Sequence, residues 1–383
     1  MFSFEFATAN RIIFGAGKLN ILAEQIGGSV RRLLLVRGRS SDAIPPVREI
    51  LSAQGFQFTE FEVHGEPTVD VVRAGVEIAR GCNTVIGLGG GSVLDTGKAI
   101  AILANNPGDV LDYLEVIGKG QKLTHAGLPY IAIPTTAGTG TEVTRNAVIG
   151  SPAHGVKVSL RSPMMLPDLA LVDPELTYSL PPDITASTGL DALTQLIEPF
   201  VSIKANPMTE AICREGLRYA AQSLRRVSKN GKDQEAREGM SLTSLFGGLA
   251  LANAGLGVVH GFAGPLGGML HAPHGAICAR LLPSGMEANL NAMQERASEH
   301  PALIRYGEIA QILTGNPKAK ALDGIAWVDE LVRDLDIPPL SSHGMTRTQF
   351  PETVEKTMKA SSTKGNPLPL TEAELTSILE KAL

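Results

Sequence analysis

Three of the chain's eight histidines, His260, His271 and His274, fall within 15 residues of otherwise apolar and glycine-rich sequence. Asp191 and Gln195 stand four apart in Gly189-Leu190-Asp191-Ala192-Leu193-Thr194-Gln195, so on a helix they share one face. One carboxylate and two imidazoles make a three-ligand set with open positions, as a catalytic Zn²⁺ or Fe²⁺ needs. Capped helices carrying hydrogen-bonded core histidines fit the same residues, and spacing alone leaves both readings open.

A second kind of chemistry is written in glycine. The apolar run Thr84-Val85-Ile86-Gly87-Leu88 enters Gly89-Gly90-Gly91-Ser92 and then a helical stretch through Asp95 and Lys98. Backbone amides freed of side chains, at a helix N-terminus, bind phosphate oxygens. The spacing is not that of the Walker loop, and it fits the dinucleotide fingerprint poorly. Pro134-Thr135-Thr136-Ala137-Gly138-Thr139-Gly140-Thr141-Glu142 follows another apolar run and offers four hydroxyls. By itself it reads equally as a capped helix start. Two such loops in one sheet domain favour a shared phosphate-bearing ligand at the carboxyl ends of the strands.

The elements that must position these residues follow two grammars. Up to residue 180, short apolar runs (32–36, 58–63, 84–88, 130–133 and 169–172) alternate with helical segments (43–54 and 69–80). Continuous apolar strands separated by helices predict a parallel sheet covered on both faces, an α/β Rossmann-like domain over 1–180. After Leu180-Pro181-Pro182 the segments 183–200, 206–227, 235–254, 276–297, 301–314 and 320–335 all suit helices. An all-α domain over 181–383 is expected.

Composition narrows the function. The 383 residues are 43% hydrophobic and 19% charged with net charge −5, which argues against disorder. Neither a polybasic tract nor a long apolar segment is present, so neither nucleic acid nor a membrane is an expected partner. Three cysteines, odd in number and far apart, make no disulfide framework. With no secretory pattern at the N-terminus, the expected setting is the cytoplasm.

At these residues the sequence resembles the iron-containing (group III) alcohol dehydrogenases, relatives of glycerol dehydrogenase and dehydroquinate synthase. The resemblance runs through Ile12 to Gly17, Gly89 to Lys98, Pro134 to Glu142, Pro167 to Pro174, Asp191-Ala192-Leu193 with Glu198, and His260 to Gly275. It implies a dehydroquinate synthase-like two-domain fold. Gly90, Gly91, Ser92 and Asp95 would then hold the cofactor's pyrophosphate and nicotinamide side, Thr135, Thr136, Thr139 and Thr144 its second loop, and Lys157 its ribose. Asp191, His260 and His274 match three of the family's metal ligands. Two positions depart: Gln195 and Gly264 stand where iron-type members carry histidines. An amide oxygen is the weaker donor, so Gln195 is a fourth candidate ligand and the metal is Fe or Zn. His271 is a candidate extra ligand or catalytic proton carrier.

These readings predict an NAD(P)-linked, metal-dependent enzyme that interconverts a small alcohol and its aldehyde or ketone, as a homodimer or larger homo-oligomer. A dehydroquinate synthase-like lyase and a non-catalytic nucleotide-binding relative with a decayed metal site are the alternatives. The apolar Phe200, Val258, Phe262, Leu266 and Met269 near the ligand candidates disfavour the first. NADP is the expected cofactor, with NAD second. Where nucleotide folds that use NAD place an acid after an early strand, this chain has Gly38, then Arg39 and Ser40, a guanidinium and a hydroxyl suited to a phosphate.

Overall fold

A computed structural model describes residues 3–28, 30, 32–39, 41–154, 156–270 and 272–383. By contacts the chain divides into one unit of 8–136 with 140–179, and another of 3–7, 137–139 and 180–383. Among the described residues no single helix is long and apolar enough to cross a membrane.

The first unit is built on six parallel strands. β1 (Arg11–Phe14), β2 (Arg32–Arg37), β3 (Gln57–Glu62), β4 (Thr84–Gly89), β5 (Tyr130–Pro134) and β8 (Leu169–Val172) lie in the order β1-β8-β5-β4-β2-β3. Alternate residues of each central strand feed opposite cores. Leu34, Val36, Val85 and Ala132 pack on one face, and Leu33, Leu35, Ile86, Leu88, Ile131 and Ile133 on the other. That two-sided burial is why these strands read as unbroken apolar runs. The helices of this unit are α1 (Leu22–Gln25), α2 (Ile44–Ala53), α3 (Val69–Ala79), α4 (Gly91–Leu103) and α5 (Val110–Tyr113). An antiparallel pair, β6 (Asn146–Ser151) and β7 (Val156–Arg161), is an addition to the expected parallel sheet.

The strand order reverses at β2, which has β3 on one side and β4 on the other. In open α/β sheets the crevice at such a reversal, outside the carboxyl ends, is where ligands bind. Here it brings the end of β2 beside the glycine loop after β4, and Gly89 pairs with Pro134 of β5.

The second unit is helical. α6 (Pro182–Val201), α7 (Pro207–Lys229), α8 (Gln234–Ala254), α9 (Val258–Leu270) and α10 (His274–Arg296) are followed by α11 (Pro301–Thr314), α12 (Ala321–Asp334), α13 (Phe350–Lys359) and α14 (Glu372–Ala382). α6 is buried almost all round from Thr185 to Val201, as the central helix of a bundle must be. Its buried carboxylate and amide side chains, Asp191, Gln195 and Glu198, recur at i, i+4 and i+7 and so share one stripe.

Candidate functional site

The helical unit gathers Asp191 of α6, His260 of α9, and His274 and Cys278 of α10, with their donor atoms all within 4.8 Å of one another. Close helix packing makes this possible. A Cβ on Gly275 would lie 2.4 Å from the Ser187 carbonyl oxygen and 3.4 Å from Asp191 Cβ, so only glycine lets the start of α10 sit against α6. His274 and Cys278 are one helical turn apart and face the same way.

Glu198 sets the His260 ring. Its Oε2 accepts from Nδ1 at 2.6 Å, and its Oε1 accepts the Val259 N–H at 2.7 Å. Asn366 Oδ1 accepts the Val258 N–H at 3.1 Å, so tertiary partners satisfy the first amides of α9. With Nδ1 held, Nε2 is the free nitrogen, the arrangement typical of a metal-binding imidazole.

His260 Nε2 and Asp191 Oδ1 are buried, 3.3 Å apart, and neither has a hydrogen-bond partner. Leaving such atoms unsatisfied costs about 1–3 kcal/mol each. The field around them favours a cation. Burial opposes charge on His260, yet Cys278, Asp191 and Glu198 together push its pKa well above the ordinary value. Cys278 first, then Asp191, pushes His274 up to about 9 against the effect of burial. Burial would raise the Asp191 carboxyl, but the two imidazoles beside it hold it low. Orphaned buried donors in a pocket that attracts positive charge fit a divalent metal.

Gln195 is buried, and its Oε1 is likewise unpartnered. That oxygen would be 3.3 Å from a Cβ built on Gly247 of α8, so the side chain runs beside that helix. Gly264 has open space around it. His271 lies outside the described residues, as does Ser40. Cys278 escaped the sequence reading because a cysteine within Ala276-Ile277-Cys278-Ala279 looks like small core filling. Its signal was the four-residue step from His274.

In the sheet unit, Gly90 begins α4 in an extended conformation and no side chain caps the helix, which leaves its first turn open to an anion. A Cβ on Gly90 would lie 3.2 Å from Thr136 Cγ2, which places Thr136 beside the loop, and the Thr135 N–H donates to Gly89 O at 2.9 Å. Gly91 and Ser92 form the first turn of α4. Gly38 follows β2 near Val93, and Arg39 is exposed. These residues converge at the carboxyl ends of β2, β4 and β5.

The others are engaged elsewhere. Asp95 accepts from Thr141 Oγ1 and from the Val148 N–H. Thr144 Oγ1 accepts from buried Lys98. Lys157 of β7 pairs with Glu66 at 2.8 Å. Thr139 groups with the helical unit rather than with Thr135 and Thr136. Asp95, Thr144 and Lys157 thus have partners within the protein in the form seen here.

Comparisons with known proteins identify the family. The iron-containing alcohol dehydrogenase family matches residues 9–174, and its C-terminal family matches 185–383. An alcohol dehydrogenase 4 of Schizosaccharomyces pombe is 35% identical over 379 residues, covering 97% of this chain and 87% of that protein. A choline dehydrogenase of Bacillus subtilis is 34% identical over 377 residues, covering 97% and 92%. Among solved structures, a 1,3-propanediol oxidoreductase superposes with a TM-score of 0.92 at 32% identity over all of both chains. The chain belongs to the iron-containing alcohol dehydrogenase family.

Proposed function

We propose that this alcohol dehydrogenase uses a metal held by Asp191, His260 and His274, prefers NADPH, and interconverts a small alcohol with its aldehyde or ketone. The observation that carries the metal assignment is the pair of unpartnered buried donors, Asp191 Oδ1 and His260 Nε2, 3.3 Å apart. When bound, the metal supplies a Lewis acid for the substrate oxygen and the nicotinamide a hydride donor or acceptor for the carbinol carbon. Glu198 fixes the His260 ring so that Nε2 stays available. The uncapped first turn of α4, at Gly90, Gly91 and Ser92, takes the pyrophosphate, with the hydroxyls of Thr135 and Thr136 alongside. Arg39 takes the 2′-phosphate that Gly38 does not repel. The names of the relatives range from choline dehydrogenase to 1,3-propanediol oxidoreductase, which supports a small hydroxyl compound as the substrate class.

The test is nicotinamide absorbance with a panel of alcohols and aldehydes, in NADPH and in NADH, before and after chelation and on return of Fe²⁺ or Zn²⁺. Turnover that survives complete chelation sinks the metal assignment. We also infer a cytoplasmic homo-oligomer. The three free cysteines support a reducing compartment, and light scattering on the purified chain tests the assembly.

A further inference from the structure

We infer that Cys278 is a metal ligand in this chain, so that the site is Asp191, His260, His274 and a sulfur rather than an all oxygen-and-nitrogen set. The inference rests on the reading that Asp191, His260 and His274 hold the metal.

Three observations carry it. First, the sulfur belongs to the same cluster as two other donors whose ligating atoms make no hydrogen bond. Asp191 and His260 are more than nine-tenths buried, and their Oδ1 and Nε2 are unpartnered. Second, the spacings have the size that a shared ion imposes. Nitrogen and oxygen donors about 2.0–2.1 Å from zinc and tetrahedrally disposed sit about 3.3–3.4 Å apart, and a sulfur at about 2.3 Å sits about 3.6 Å from a nitrogen. The structure gives 3.3 Å between Asp191 Oδ1 and His260 Nε2, and 3.6 Å between Cys278 Sγ and His274 Nε2. Asp191 Oδ1 to His274 Nε2 is longer, at 3.9 Å. Third, the chain offers glutamine at position 195, and an amide oxygen is a weak neutral donor. A thiolate one turn along α10 from His274 supplies a strong fourth donor from a different helix.

The chemistry that follows is distinctive. A soft thiolate shifts preference towards Zn²⁺ and Co²⁺ relative to a site of imidazoles and carboxylate alone. With Asp191 it also brings two negative charges to a divalent ion, which tempers the ion's pull on substrate oxygen. The rival explanation is structural: the Cys278 thiol donates a hydrogen bond to His274 Nε2 and orients that ring.

Titration of the metal-free protein with Co²⁺ separates the two. Wild type should show visible ligand-field bands together with a near-ultraviolet sulfur-to-cobalt charge-transfer band. Cys278→Ser keeps a hydrogen-bond donor, so it should keep ligand-field bands but lose the charge-transfer band. Its Zn²⁺ affinity, by competition with a chelator, should fall at least about a hundred-fold, the upper end of what loss of an outer-shell partner costs. Wild-type bands that His260→Ala abolishes, but without charge transfer, would overturn Cys278 as a ligand while the three-residue site stands. Undiminished Zn²⁺ affinity in Cys278→Ser would do the same. A wild-type chain that takes up no cobalt overturns both, and the wild-type spectrum needs no variant to fold.

Discussion

Lys98 in the sheet unit and Asp191 with His260 in the helical unit are equally hidden from water, yet they are treated in opposite ways. The Lys98 ammonium donates to Thr141 O at 2.7 Å, to Thr144 Oγ1 and Asn146 O at 2.9 Å, and to Thr141 Oγ1 at 3.2 Å. Burial lowers its pKa to about 8, against the pull of Asp95 and Glu142. Every proton has an acceptor, and the group ties α4 to the segment leading into β6. In the helical unit Asp191 Oδ1 and His260 Nε2 face each other at 3.3 Å and make no hydrogen bond. A buried charge whose partners are all present is part of the scaffold, whereas a cluster of buried metal-type donors without hydrogen bonds is a place that an ion from outside would satisfy. Motif matching treats the two alike, since Asp95-Thr96-Gly97-Lys98 and Asp191 to His274 both carry the family resemblance.

The contrast can be broken at either end. The largest effect should come from Lys98→Met, which leaves carbonyl and hydroxyl acceptors stranded around an apolar chain. It should destabilise the fold by about 3–5 kcal/mol, the scale for removing one partner of a buried charged network. Metal content per folded molecule should not change. His260→Ala should do the reverse. Structural zinc sites contribute roughly 10–16 kcal/mol, so one ligand in four is worth about 2.5–4 kcal/mol of metal affinity. Because Glu198 also loses the Nδ1–H it accepts, metal-free His260→Ala should melt somewhat below metal-free wild type while remaining folded. Denaturant titration and elemental analysis on both variants check the pair. If Lys98→Met is neutral and His260→Ala unfolds the protein, the division between scaffold and site is wrong.

The same division explains what could be read from sequence. β2, β4, β5 and β8 were legible because two-sided burial leaves unbroken apolar runs, and the strand-to-helix turn at Gly90, Gly91 and Ser92 because consecutive glycines after such a run mark a tight turn. β6 and β7 were not. Their buried residues, Ala147, Ile149 and Ser151 against Val158 and Leu160, alternate with partly exposed ones over only six positions and are small or polar in part. α9 hid because Gly261, Gly264, Gly267, Gly268 and Pro265 argue locally against a helix. Its stability comes from Glu198 and Asn366 at its start and from packing, neither of which is local. Asp191, His260 and His274 were visible as types and spacings, but that Asp95, Thr144 and Lys157 have partners inside the protein is a tertiary fact. So is the arrival of Cys278.

A smaller effect should follow from loosening the ring that the site depends on. Glu198→Gln keeps the shape but removes the charge that receives His260 Nδ1–H, along with half of the anchoring at the start of α9. Metal affinity should fall about ten- to a hundred-fold, as for other partners that orient a ligand, and the protein should remain folded. Affinity equal to wild type would mean that packing alone positions the ring.

The smallest expected effect tests the sheet unit's own distinction between committed and available charge. Of the two arginines at the end of β2, Arg37 is committed: its Nε donates to Glu60 at 2.6 Å and its Nη1 to Glu62 at 2.7 Å. Arg48 and Arg37 in turn hold the Glu60 carboxyl down at about 2. Arg37 therefore brings no spare charge to a cofactor phosphate, which leaves Arg39, exposed after Gly38, as the available cation. Gly38 can take a side chain, because a Cβ there would lie 3.6 Å from Val93 Cγ2, an ordinary contact. An aspartate at this strand end would accept hydrogen bonds from the adenosine ribose and repel a 2′-phosphate. Wild type should thus use NADPH more efficiently than NADH. Gly38→Asp should move the ratio of kcat/KM values about ten-fold towards NADH, equivalent to about 1.4 kcal/mol. Arg39→Ala should weaken NADPH alone, and a matching variant at Arg37 should cost stability without that selectivity. A wild-type preference for NADH, or a ratio that Gly38→Asp leaves in place, would show that the 2′-phosphate is not read at the end of β2.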